Sequence, residues 1–152
     1  MPVTIESAQQ FLDRTRHRVH PRCVVCSEES PCALGLHFRM LDDGSVETTF
    51  DCPNRLQGYL DCLHGGVISS LLDGAMTNCL FAHGIVAVTA DLRVRFRHPV
   101  RTDASSRITA RITRFSSPLH VGEAELEQEG RVKARAVGKF MERQPRGHEG
   151  GE

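Results

Sequence analysis

The fold is decided by residues 64–84, which read HGGVISSLLDGAMTNCLFAHG. Apolar side chains recur in this segment at steps of three and four residues, which predicts one buried helix of about five turns. Two glycines open the helix, and His83-Gly84 end it, because glycine readily takes the left-handed conformation that follows a helix. A helix that is apolar over so much of its surface must be enclosed by the rest of the chain.

After Gly84 the period of the sequence changes from 3.6 to 2, which predicts half-buried antiparallel strands. Apolar and polar side chains alternate in residues 92–97, 107–113, 123–127 and 131–140. Because the chain offers no other partner for the helix, the sequence predicts an α+β fold. A curved antiparallel sheet of about six strands is expected to wrap around one long central helix.

The residues before the central helix supply the remaining elements. Residues 4–16 predict a short amphipathic N-terminal helix, and residues 36–41 and 46–50 predict a hairpin. We expect the N-terminal helix and a cysteine-containing loop in residues 1–33, the main domain in residues 34–143, and a disordered tail in residues 144–152.

The charges predict how the last two strands pair. If the connecting loop holds an odd number of residues, such as 129–131, Glu127 lies opposite Lys133 and Glu125 lies opposite Arg135. A two-residue turn would instead place Glu127 opposite Val132. Charge pairing therefore favours the odd-numbered loop.

Length and composition exclude several classes of protein. The chain has 152 residues, 19 of them basic and 19 acidic, and its hydrophobic content of 39% is enough for one domain with a core. Nucleic-acid-binding proteins neutralise phosphates, so a chain without net positive charge is disfavoured for that role. It has no apolar run of the roughly 18 residues that a membrane helix needs, and its first residues are unlike a signal peptide. We expect a cytoplasmic protein that binds neither nucleic acid nor membrane.

The start of the central helix is a candidate anion or oxyanion site. Gly65 and Gly66 place unhindered backbone N–H groups where a helix has no partner for them and its dipole is positive. Asp73 follows in an otherwise apolar stretch, where a carboxylate is costly unless it is paired or used. A carboxylate and N–H donors are the minimum equipment for acyl transfer.

A purely structural explanation of the same residues is also open. Gly65 and Gly66 could simply allow a tight turn into the helix, His64 could cap it, and Asp73 could pair with an arginine.

Asp73 also lies roughly 13 Å along the helix from the glycines, so one helix cannot present both groups to the same carbon. A site shared between two subunits would remove that difficulty. Dimerisation is also expected because an exposed edge strand can pair with a second copy.

The segment from His64 to Asp73 resembles the signature of hotdog-fold acyl-CoA thioesterases, in particular the PaaI-like branch. Gly58 upstream and residues 89–99 downstream strengthen the resemblance, which covers about residues 34–141. It implies a hotdog fold, dimers that pair into tetramers, and hydrolysis of an acyl-CoA thioester without a required cofactor.

The resemblance also implies roles for individual residues. Asp73 would be the nucleophile or general base, and Gly65 and Gly66 of the facing subunit would polarise the thioester carbonyl while His64 orients their turn. Some relatives have an asparagine where Gln57 stands, although here the spacing to His64 is longer. Thr89 matches a hydroxyl that helps hold the attacking water, but its strand position requires a bulge.

Two further groups of residues invite functional hypotheses. Arg95, Arg97 and Arg101 are candidates to bind the phosphates of coenzyme A. The alternative is that alternating arginines form a solvated face paired with Glu123, Glu125 and Glu127.

The N-terminal loop contains a Cys-x-x-Cys motif with two further donors, and little else in the sequence fixes this loop. His20, Cys23, Cys26 and Cys32 are therefore candidate ligands of a structural zinc, with ordinary packed thiols as the alternative.

The leading hypothesis is thus an acyl-CoA thioesterase of the hotdog fold. Its alternatives are a non-catalytic acyl-CoA-binding or regulatory domain, and a hydratase or dehydratase of the same fold.

Overall fold

The computed structural model describes residues 5–143, and of Ile5 only the backbone. These residues form two long helices and six strands. The helices are α1 (Ile5–Val19) and α2 (Gly65–Ala82). The strands are β1 (Arg39–Met40), β2 (Val46–Phe50), β3 (Ala87–Phe96), β4 (Ser106–Arg114), β5 (Leu119–Gln128) and β6 (Arg131–Glu142). The expected tail, residues 144–152, lies outside the described residues.

The six strands form one antiparallel sheet in the order β1-β2-β4-β5-β6-β3. Helix α2 lies against this sheet, and its apolar stripe of Leu71, Leu72, Met76 and Leu80 is fully buried. The predicted α+β fold, with a sheet around one central helix, is confirmed. Neither helix in residues 5–143 is both long and apolar enough to cross a membrane.

Strand β1 is much shorter than predicted. Only Arg39 and Met40 pair with β2, although residues 36–41 were expected to form the first strand. The reason lies in the preceding loop, because Leu36 N–H donates to the Val25 carbonyl and Leu34 N–H to the Val24 carbonyl. Two backbone N–H groups of residues 34–36 therefore bond to the cysteine-containing loop instead of to β2.

The prediction for the β5–β6 register is half right. Glu125 lies opposite Arg135, and their side chains form an ion pair at 2.8 Å. Glu127, however, lies opposite Val132 because the connection is a two-residue turn in which Glu129 and Gly130 both have positive φ. A bulge after Leu126 then restores the pairing expected for Glu125. Lys133 falls at this bulge and is buried.

Two glycines in the sheet allow α2 to approach it closely. Gly122 and Gly138 lie opposite each other on β5 and β6, and the Met76 side chain of α2 sits over both. A Cβ atom on Gly138 would lie 3.2 Å from Met76 Cε and 2.6 Å from Phe140 Cε2. The depth at which α2 packs is thus set by the absence of two side chains.

Candidate active site

The beginning of α2 is built as an exposed cap with a cavity in front of it. His64 caps the helix, and its Nδ1 accepts a hydrogen bond from the Gly66 N–H at 2.8 Å. The Gly65 N–H receives no acceptor from residues 5–143. A cavity of about 340 Å³ is lined by Gly58, Tyr59, Cys62, Leu63, His64 and Gly65. An oxyanion entering this cavity would meet the positive end of the helix dipole.

Asp73 lies about two and a half turns further along α2 and has one polar partner. Thr89 Oγ1 donates a hydrogen bond to Asp73 Oδ1 at 2.7 Å. None of the ion pairs in residues 5–143 includes Asp73, so the alternative in which it pairs with an arginine is not what the structure shows.

A bulge in β3 makes the Thr89 contact possible. Thr89 lies opposite Phe140, Asp91 lies opposite Lys139, and Ala90 is the extra residue between them. Because side chains alternate along a strand, an extra residue moves Thr89 to the opposite face from Asp91 and Arg93. The structure therefore contains the irregularity that the sequence required of Thr89.

The surroundings of Asp73 favour its protonated form. Burial raises the pKa of the Asp73 carboxyl above its usual range, and the Thr89 hydroxyl opposes this shift. The negative charge of Cys23 raises the same pKa and His20 lowers it, which also shows that these residues lie near Asp73. A carboxyl with a raised pKa is a stronger base than an ordinary aspartate, which suits a general base.

Gln57 holds the loop in front of α2 rather than contacting Asp73. Its Oε1 accepts a hydrogen bond from the Asp61 N–H at 3.0 Å, and Gln57 forms an isolated bridge with Leu63. Gly58 packs against the His64 ring, because a Cβ atom there would lie 3.2 Å from His64 Cδ2. Gln57 thus shapes the same cavity as His64.

The arginines do not pair with the glutamate strand as the alternative required. Strand β3 pairs with β6, so Arg95 lies directly opposite Arg135. The glutamates of β5 instead form ion pairs with Arg107, Arg111 and Arg135. The result is a groove of about 530 Å³ rich in cations, which we call the β3–β6 groove. It is lined by Asp91, Arg93, Val94, Arg95, Arg97, Arg135, Ala136, Val137 and Lys139.

Arg101 is separate from this groove. Its side chain pairs with Glu129 at the β5–β6 turn, at 2.5 Å, and it does not line the groove. Of the three arginines selected from the sequence, Arg95 and Arg97 are thus brought together and Arg101 is not.

Three of the four predicted metal ligands come together. The ligand atoms of His20, Cys23 and Cys26 lie within 4.8 Å of one another, whereas Cys32 is exposed and outside the group. The loop is also better fixed than its sequence suggested, since Arg16 Nη1 donates to the Cys26 carbonyl at 2.8 Å.

Two residues near these sites were not selected from the sequence. Phe96 was expected to alternate inward, but it is 53% exposed, and its ring lies 3.5 Å from the position of a Cβ atom on Gly65. Asn78 is fully buried in α2, and its Oδ1 has no hydrogen-bond donor in the described part of the chain. A polar residue on the apolar stripe of α2 was the available signal for Asn78.

Comparison with known proteins agrees with the fold. The model of the thioesterase superfamily matches residues 61–134, which include the helix cap, Asp73 and Thr89. No curated protein shows significant similarity to the chain.

Solved structures share the fold. One thioesterase superfamily protein is 24% identical with a TM-score of 0.73, over 77% of this chain and 61% of that protein. A thioesterase related to phenylacetic acid degradation from Ralstonia eutropha JMP134 is 25% identical with a TM-score of 0.65, over 71% and 85% of the two chains. PaaI from the Escherichia coli phenylacetic acid degradation operon is 20% identical with a TM-score of 0.75, over 91% and 97%.

A further structure contains a ligand. A thioesterase protein from Streptococcus pneumoniae TIGR4, solved with coenzyme A, is 18% identical with a TM-score of 0.66, over 70% and 87% of the two chains.

The sheet, the central helix and the carboxylate near its middle define a hotdog-fold protein. Residues 61–134 of this chain resemble the thioesterase superfamily, and its fold agrees with those of PaaI and the Ralstonia eutropha protein.

Proposed function

We propose that this protein hydrolyses the thioester of a small or medium acyl-CoA or aryl-CoA, with Asp73 as the catalytic carboxylate. The observation that carries the proposal is the Asp73–Thr89 pair. A half-buried carboxylate has a hydroxyl partner at 2.7 Å and no ion pair among residues 5–143, on the helix whose first turn offers the Gly65 N–H. Such a carboxylate is costly to fold and suited to proton transfer.

The reaction needs only groups that this chain contains. As a general base, Asp73 takes a proton from water, and the resulting hydroxide attacks the thioester carbon. The carbonyl oxygen becomes an oxyanion, which the Gly65 N–H and the positive end of the helix dipole stabilise, while the Gly66 N–H donates to His64. Collapse of this intermediate breaks the C–S bond, releases coenzyme A as a thiolate and leaves the free acid. If Asp73 attacks the thioester carbon directly, the C–S bond breaks, coenzyme A leaves as a thiolate and a mixed anhydride forms. Water then hydrolyses this anhydride to the free acid and restores Asp73.

The free edge of β3 supports a site shared by two subunits. Near one end of β3, Thr89 contacts Asp73, and at the other end Phe96 lies against Gly65. When two copies of a strand pair antiparallel about a twofold axis, opposite ends lie side by side. Pairing β3 with β3 of a second copy would therefore bring Asp73 of one subunit towards Gly65 of the other. This removes the separation of roughly 13 Å along one helix, and we propose a homodimer, itself able to pair into a tetramer.

Thiol release tests the proposal directly. Purified full-length protein is incubated with a panel of acyl-CoA and aryl-CoA thioesters, and free thiol is followed with a chromogenic disulfide. We expect turnover of at least one class of thioester. Binding of these thioesters without thiol release would instead indicate the non-catalytic acyl-CoA-binding alternative.

The Thr89→Val variant tests how Asp73 is held. Since the Thr89 hydroxyl lowers the pKa of Asp73, its loss raises that pKa further, and the acidic limb of the profile of kcat/KM against pH moves to higher pH. A hydrogen bond to a charged group contributes roughly 1.5 kcal/mol, so its loss should also lower kcat/KM about tenfold. Thr89→Ser should restore both, and Thr49→Val, at the exposed position of β2, is the control. An unshifted profile would exclude this role for Thr89.

The β3–β6 groove is proposed to bind the phosphates of coenzyme A through Arg95 and Arg97. The supporting observation is its composition: of five cationic side chains, Arg93 pairs with Asp91 and Arg135 with Glu125, whereas Arg95 and Arg97 have no ion pair among residues 5–143. Coenzyme A in a fold relative also supports this ligand class.

The Arg95→Ala variant should raise KM for acyl-CoA about tenfold with little change in kcat, since it removes roughly 1.4 kcal/mol of binding to a phosphate. The same variant should leave KM unchanged for an acyl-N-acetylcysteamine, which has no phosphate. Arg107→Ala is the matched control because Arg107 is already paired with Glu127. Equal effects of Arg95→Ala on the two substrates would contradict phosphate binding.

A further inference from the structure

A cluster of soft ligands lies beside α2, outside the proposed reaction. His20 Nδ1 is 3.9 Å from Cys26 Sγ, and the ligand atoms of His20, Cys23 and Cys26 all lie within 4.8 Å of one another. In a tetrahedral zinc site with Zn–S near 2.3 Å and Zn–N near 2.0 Å, sulfur and nitrogen ligands stand about 3.6 Å apart. The observed spacing is close to what such an ion requires.

The cluster combines two cysteine sulfurs with one imidazole on a short segment of the chain. Cys26 is buried, and His20 and Cys23 are partly buried. The Val25 N–H lies 3.4 Å from Cys23 Sγ, so that sulfur is held by the backbone of its own loop. Cysteine sulfur and histidine nitrogen are the ligands that Zn²⁺ prefers in structural sites.

A buried amide oxygen without a hydrogen-bond donor among the described residues lies next to the cluster. Asn78 is fully buried and donates through Nδ2 to the Gly74 carbonyl at 2.8 Å, while its Oδ1 finds no donor among the described residues. The Asn78 side chain is close enough to Cys26 to lower the pKa of that thiol. A buried polar atom without a partner is rare and calls for an explanation such as an ion or its bound water.

The loop that carries the ligands is held in place by the protein itself. The Ser27 hydroxyl donates to the Pro21 carbonyl at 2.7 Å and accepts from two backbone N–H groups, those of Glu29 and Ser30. The Val25 side chain packs directly on Gly74, where a Cβ atom would lie 2.6 Å from Val25 Cγ1. The ligands are therefore positioned before any ion arrives, which reduces the cost of binding.

We propose that His20, Cys23 and Cys26 bind one divalent cation of the Zn²⁺ class, with water as the fourth ligand, on the side of α2 that carries Asp73. Three soft or borderline protein ligands with an open fourth position suit Zn²⁺ rather than Mg²⁺ or Ca²⁺, which prefer oxygen. The proposal does not depend on thioesterase activity, because metal binding is measured without substrate.

Metal content and cobalt spectroscopy of the full-length protein test the site. The protein is stripped with a chelator, incubated with Zn²⁺ or Co²⁺, freed of excess metal and analysed for bound metal. We expect about one ion per chain, a thiolate-to-cobalt absorption band and tetrahedral cobalt bands. Zn²⁺ should also raise the melting temperature, because it binds only the folded cluster.

Matched variants make the result specific. Cys23→Ser and His20→Ala should each either lose the cobalt thiolate band or bind the metal with at least tenfold lower affinity. Cys32 lies in the exposed part of the same loop, so Cys32→Ser should bind metal as the unsubstituted chain does. Circular dichroism checks that each variant is folded. Substoichiometric metal in the unsubstituted chain, or equal metal content in Cys23→Ser and Cys32→Ser, would overturn the site.

Discussion

Replacing Asp73 by asparagine should abolish most thioesterase activity while leaving the fold intact. Asparagine has the same shape and its Oδ1 can still accept the hydrogen bond from Thr89, but it cannot take a proton from water or attack a carbonyl. Loss of a general base typically costs 10²- to 10⁴-fold, so we expect kcat/KM to fall by about that factor. Thiol release from the best thioester of the panel is the measurement.

The same substitution should stabilise the protein at neutral pH. Burial raises the pKa of Asp73 in the folded state, so the ionised carboxylate destabilises the fold at pH values above the pKa of the unfolded chain. Asp73→Asn removes this cost, so the variant should have a larger free energy of unfolding than the unsubstituted protein. This difference should shrink as the pH falls, because Asp73 then becomes protonated in both the folded and the unfolded state. Asp42→Asn, in an exposed turn, is the control for both measurements. An Asp73→Asn variant with full activity would refute the catalytic assignment.

Gly138→Ala should cause a large loss of stability for a single added methyl group. Its Cβ atom would lie 2.6 Å from Phe140 Cε2 and 2.8 Å from Phe140 Cζ, and the Phe140 ring is fully buried. Overpacking of this kind costs about 1–3 kcal/mol. Urea unfolding at a fixed protein concentration measures the change without confusing it with dissociation of a dimer.

Gly122→Ala is the matched comparison because it adds the same methyl group directly across the sheet. There the Cβ atom would lie 3.2 Å from Ile112 Cδ1 and 3.3 Å from Met76 Sδ, which are ends of flexible side chains. These neighbours can move by a few tenths of an ångström, so the loss should be clearly smaller. Equal losses at both positions would show that the buried Phe140 ring does not control the close approach of α2.

The order of strands explains why the charge pattern was only partly predictable. The alternation of Arg107, Arg111 and Arg135 showed which side chains share the outer face, and the ion pairs of these residues lie on it. The sequence could not show that β3 pairs with β6 rather than with the glutamate-rich β5. That choice turned Arg95 and Arg97 from expected partners of glutamates into the walls of a cationic groove.

The sequence alone determined the central helix, its glycine cap, the sheet around it and the exceptional position of Asp73. These features are local, because hydrophobic period, capping residues and a lone acid on an apolar stripe are read within one segment. Tertiary structure decided the bulge that turns Thr89 towards Asp73 and the two-residue turn that displaced Glu127. It also decided the approach of the cysteine-containing loop to Asp73 and Asn78 of α2. These features depend on which distant segments pair and pack. The alternation of side chains along a strand does not show where a bulge inserts an extra residue and shifts that alternation.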